Sequence, residues 1–119
     1  IATSEKIDEV EVTCALLKDL QSTLLKKKIK LSLVMQYGGN FVVDNTSQRN
    51  NDKHVIECSK NLEINIVDTF KDLKYIAKND INKFKILYVM RSENSYGHMS
   101  KYGNKFIADL IYKSLYNEK

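Results

Sequence analysis

His98 stands in the run Tyr96-Gly97-His98-Met99-Ser100-Lys101-Tyr102-Gly103-Asn104, where a polar turn meets an amphipathic C-terminal segment. An imidazole exchanges a proton near neutral pH, so a histidine held in one place is a candidate general base. Its neighbours provide the holding. Gly97 admits backbone conformations closed to other residues, and Ser100 carries the hydroxyl of a helix N-cap, able to accept from the amide near Gly103. From Phe106 onward, Ile107, Leu110, Ile111 and Leu115 recur at helical spacing, so a buried apolar face would fix that helix and the residues ahead of it. His98 is expected just outside the helix start.

The elements that must position this segment alternate. Residues from about Asp8 to Lys27 read as a helix, with Val10, Cys14, Leu16, Leu17, Leu20 and Leu24 on its apolar side, and Lys26-Lys27-Lys28 closing it where cations suit the helix dipole. Leu31 to Tyr37 reads as a nearly continuous apolar strand of the kind buried on both faces in a parallel sheet, and Gly38-Gly39-Asn40 breaks it as a turn. A polar stretch from Asp44 to Asp52 precedes a short helix carrying Val55 and Ile56. Ile64 to Val67 reads as the next strand. Thr69 or Asp68 caps a helix through Leu73 and Ile76, and Asn79-Asp80 ends it. Phe84 to Met90 reads as the third strand, which places His98 in a loop between a strand's C-terminal end and a helix, the edge where ligands gather in open α/β sheets. Strands alternating with helices predict a single α/β domain over residues 1–119, with three αβα layers and a mostly parallel sheet. Three strands leave one sheet edge to be covered by further chain or by a second molecule.

The final block, "GHMSKYGNKFIADLIYKSL", resembles the last motif block of the SGNH (GDSL-type) hydrolases, where a histidine is followed by a small polar turn, a glycine and an apolar helix. The matching positions are His98, Ser100, Gly103, Asn104 and Ala108. Upstream, "KIKLSLVMQY" and "LEINIVDTF" are similar, in order, to late strands of that family, so the resemblance implies the C-terminal part of an SGNH or flavodoxin-like domain. It implies His98 as general base, with Ser95 in the place of the family's acid three residues earlier and Tyr96 and Gly97 beside the substrate. The family's Gly-Asp-Ser nucleophile block occurs nowhere in the chain. A hydroxyl at Ser95 can orient an imidazole but cannot stabilise imidazolium as a carboxylate does. The first residue is Ile1 rather than methionine, as expected of a processed or excised piece whose nucleophile lies elsewhere.

Composition narrows the classes. With 43% hydrophobic and 29% charged residues in 119, the chain can form a core, and no apolar run approaches the roughly 20 residues that span a bilayer. The compartment stays open. Cys14 and Cys58 are expected as thiols, two cysteines being no disulfide scaffold. His54 and Cys58 share a helical face but make at most two ligands, so no metal site is expected. The net charge of +4 comes with lysines interspersed among acids, so no nucleic acid partner is expected. Tyr37, Tyr88, Tyr96, Tyr102 and Arg49 are candidates for a pocket rim. Two functions follow: an esterase or acyl hydrolase of the SGNH type, acting on a small-molecule or glycan ester without a cofactor, or a non-catalytic α/β module that binds a partner or carbohydrate. Without a nucleophile in its own sequence, the isolated chain is expected to be inactive toward esters.

Overall fold

Local caps set the helix starts. The computed structural model describes residues 8–116, and helix α1 (Glu9–Lys26) begins where the Asp8 carboxylate accepts from the amides of Val10 and Glu11 at 3.0 and 3.3 Å. There follow β1 (Ser32–Met35), α2 (Gly39–Asp44), α3 (Asn50–Asn61), β2 (Asn65–Asp68), α4 (Phe70–Asn79), α5 (Ile81–Ile86), β3 (Tyr88–Ser92), β4 (Ser95–Met99) and α6 (Lys101–Tyr116). The mixed α/β character expected from the sequence is present. The sheets are small, each of two strands, β1 with β2 and β3 with β4. Two compact units result, one of the residues up to Leu33 with Arg49–Ile66, the other of Val34–Gln48 with Val67 onward.

The first unit packs α1 on α3. Val10, Cys14, Leu17 and Leu24 are half-buried and Gln21 is buried, an i, i+3, i+4 stripe that gives α1 its inner face. The Gln21 amide donates to the Leu62 carbonyl at 3.2 Å. Cys14 and Cys58 are joined as a disulfide between the two helices, with Cα atoms 6.1 Å apart, which corrects the expectation of two thiols. They lie 44 residues apart in sequence and meet because each falls on the helix face turned toward the other. Both helices close alike. The Ile29 amide bonds the Leu24 carbonyl and the Ile64 amide the Ser59 carbonyl, both at 2.9 Å, across Lys28 and Glu63, each with φ of 59°. This left-handed position normally falls to glycine, and a side chain there costs roughly 1–2 kcal/mol.

The second unit has the larger core. Tyr37, Val42, Phe70, Leu73, Ile76, Phe84, Leu87 and Tyr88 are buried together. Tyr37 meets Phe70 edge-on at 5.2 Å, and Tyr96 meets Phe84 and Tyr88 at 5.5 and 5.4 Å. Such pairs add roughly 0.5–1.5 kcal/mol each beyond area burial. At the start of α4 the two candidate caps divide the work. Asp68 accepts from the Phe70 amide at 3.2 Å, while the buried Thr69 hydroxyl turns away and donates to the Met35 carbonyl at 2.6 Å.

The third strand differs from expectation. Residues 84–86 belong to α5, because Asp80 both ends α4 and caps α5, accepting from the Lys83 amide at 3.1 Å. An apolar run as short as Phe84–Met90 satisfies either periodicity, and the cap decides it. The strand proper begins at Tyr88 and pairs antiparallel with β4 as a hairpin, where a parallel partner was expected.

Candidate functional site

His98 lies on β4, inside the hairpin, and not in the loop expected ahead of α6. Tyr88 pairs with Met99 and Met90 with Tyr96, so Gly97 and His98 together oppose the single residue Val89. This is a β-bulge, a device that re-aims a side chain and increases local twist. Gly97 is required there by close approach: a Cβ would run into the Val89 carbonyl oxygen. Its φ is not positive, so the conformational freedom expected from the sequence is not what requires glycine here.

The hairpin is fixed at both ends. Asn40, at the start of α2, donates to the Asn94 carbonyl at 2.8 Å and accepts from the Tyr96 amide at 2.9 Å, so one side-chain amide clamps the β3–β4 turn. At the other end, Ser100 caps α6 as the sequence implied, accepting from the Gly103 amide at 3.3 Å. Its hydroxyl also donates to the Ile86 carbonyl at 2.6 Å, and its amide to the Leu87 carbonyl at 2.9 Å. Gly103 is buried under α5, since a Cβ would overlap the Leu87 carbonyl. Ser100, two residues after His98, is therefore tied to both α5 and α6.

His98 is exposed at the edge of a cleft of about 500 Å³, together with Gly97, Met99 and Asn104 from its own segment and Gln36, Tyr37, Gly38 and Tyr88 opposite. Among the described residues no carboxylate or ammonium lines it, and its polar character comes from amides, phenols and backbone. The Tyr88 hydroxyl donates to the Tyr37 carbonyl at 2.9 Å, and the Tyr37 hydroxyl donates to Asp68 at 2.9 Å. Burial, and secondarily Tyr96, pushes the Tyr88 phenol well above its ordinary range, so it stays a donor. Tyr96 is also raised, by burial first and by Asp44 second.

The imidazole Nδ1 lies 3.1 Å from the Met99 carbonyl oxygen. A carbonyl only accepts, so the ring presents Nδ1–H there, and in the neutral imidazole Nε2 is then the acceptor. That arrangement suits general-base chemistry with a neutral orienting group. Among the described residues, no hydrogen bond joins Ser95 to His98. Ser95 lies at the turn end of β4, opposite Ser92.

The other sequence candidates separate. Gly97 lines the cleft; the Tyr96 ring lies over Gly39 and among Phe84 and Tyr88. Tyr37 and Tyr88 line the cleft, while Tyr102 lies exposed beneath the Lys101 ammonium, 5.2 Å from its ring centre. Arg49 pairs with Asp52 at 2.9 Å at the start of α3. Cys58 is in the disulfide, and among the described residues no group of three or more His, Cys, Asp or Glu is placed to hold a metal. No described helix is long and apolar enough to cross a membrane. Sequence reasoning missed the bulge and Asn40. A glycine within a strand pattern is the available signal for the first; nothing local signals the second. No protein-family model, curated protein or solved structure matches the chain.

Proposed function

We propose that these residues are the C-terminal part of an SGNH-like ester hydrolase and supply its general base, His98. The observation that carries the reading is the imidazole itself. It stands exposed on a clamped bulge at a polar cleft, its Nδ1–H on the Met99 carbonyl and its Nε2 left to accept. The nucleophilic serine belongs to residues outside this sequence. In this reading the small sheets belong to a three-layer αβα domain, and further chain or a second molecule covers the sheet edge.

The chemistry follows from the acceptor nitrogen. Nε2 takes the serine proton as Oγ bonds to the ester carbonyl carbon, and the carbonyl electrons move onto oxygen. Collapse of that intermediate breaks the bond to the alcohol, which leaves with the proton from Nε2. Water repeats the sequence on the acyl-enzyme and returns the serine. Met99 orients the ring in place of a carboxylate, and Ser95 occupies the acid's position in the motif. Gly97 lines the cleft beside the imidazole, where substrate would lie, and Tyr96 supports the bulge from behind. Uncharged lining suits a neutral ester of a small alcohol or glycan, and no cofactor is required.

The test is made on the protein that carries these residues together with its nucleophile. His98→Ala should lower hydrolysis of p-nitrophenyl acetate by about 100- to 10,000-fold at an unchanged circular dichroism spectrum. Hydrolysis at the wild-type rate would remove His98 from the mechanism. A wild-type protein that hydrolyses no ester but binds glycans in the cleft would favour the second reading, a partner- or carbohydrate-binding module, for which the lack of a Ser95–His98 contact already speaks.

A further inference from the structure

Helix α1 turns one face onto α3, yet an adjoining, exposed face carries a second apolar row. Val12, Leu16 and Leu20 are four residues apart, fall on one side of the helix, and are 48%, 64% and 46% exposed. A helix that shows apolar residues on a second side has a second thing to bury. The row has charged ends of opposite sign. Glu9 lies in line with it at the N-terminal end and Lys27 at the C-terminal end, and Asp8 and Lys28 stand next to them. All four are exposed.

We infer that this face joins two copies of the chain, their α1 helices antiparallel about a two-fold axis. Self-complementarity selects the register. With Glu9 of one copy opposite Lys27 of the other, Leu16 falls opposite Leu20 and Thr13 opposite Thr23, each contact occurring twice, with Val12 beside the seam. The same shift that pairs the charges thus sets the two exposed leucines against each other, as an isologous interface requires. A parallel arrangement would put Glu9 on Glu9 and Lys27 on Lys27. The 18-residue helix is about 27 Å long, so the contact is near the small end of specific interfaces. The inference stands independently of the hydrolase reading, since it uses no residue of the cleft.

Sedimentation velocity on the chain, from about ten to several hundred micromolar, should show a reversible monomer–dimer equilibrium that weakens as salt rises. Leu16→Glu, an exposed position whose change spares the monomer's packing, should raise the dissociation constant at least about tenfold. Glu9→Lys should weaken the dimer at low salt, and adding Lys27→Glu should restore it, because the swap re-forms both contacts. Circular dichroism verifies that each variant is folded. A wild-type chain that stays monomeric throughout overturns the inference, as does a dimer indifferent to Leu16→Glu. Failure of the double swap to restore what Glu9→Lys removes overturns the antiparallel register.

Discussion

The two units hold themselves together by different means. Of the buried apolar side chains among the described residues, Ile64 alone lies in the first unit; Val42, Val67, Phe70, Leu73, Ile76, Phe84, Leu87, Ile107 and two tyrosines lie in the second. The first unit relies instead on two helix faces and the Cys14–Cys58 bridge. A thin core supplies little burial energy, and a cross-link stabilises by restricting the unfolded chain rather than by adding contacts. The unit with the dense aromatic core also carries the cleft and its histidine. A bulge is tolerable where the surrounding core over-determines the strand, and Phe84, Tyr88 and Tyr96 do this behind His98.

The largest effect that would break this contrast is in the second unit. Phe84 is fully buried and touches both Tyr88 and Tyr96. Phe84→Ala should cost about 3–5 kcal/mol by chemical denaturation, and hydrogen exchange should show the loss in α5, β3 and β4. An unchanged hairpin would mean that the aromatic group is not what holds the bulge. Next, reducing the disulfide, or Cys14→Ser with Cys58→Ser, should cost about 2–4 kcal/mol, with exchange rising in α1 and α3. Equal loosening of α4 and α6 would show that the two units unfold as one and erase the distinction. The smallest effect sharpens it. Glu63→Gly should relieve the left-handed residue after α3 and raise stability by about 0.5–1 kcal/mol, read as a shift of the denaturation midpoint at constant slope.

Much of the local structure was legible. Asp8 and Ser100 cap helices at the starts that the sequence suggested, because a cap is a contact between residues two or three apart and travels with the sequence, whereas Asp80 was expected only to end α4 and also caps α5. The inner face of α1 was legible in part, since Leu16 and Leu20 are apolar at helical spacing yet face outward. Periodicity reports which residues are apolar, not which of two adjoining stripes finds a partner. For the same reason Phe84–Met90 reads as one strand, although a cap four residues upstream converts its first half to helix. In the cleft, His98, Gly97 and Asn104 stood out by type and spacing, whereas Gln36, Gly38 and the Asn40 clamp come from a segment about 60 residues away.

The sequence by itself determined where α1, α4 and α6 start, that a histidine precedes a capped amphipathic helix, and that a glycine stands beside it. Those features depend on contacts within one turn, whose geometry follows from residue type. Only the tertiary structure decided that Cys14 meets Cys58, that β3 pairs with β4, and that Gly97 and His98 share one partner across the hairpin. Each of these is set by which packed faces come together. Residues distant in sequence have no fixed relation until the core forms, and the imidazole takes its aim from that relation.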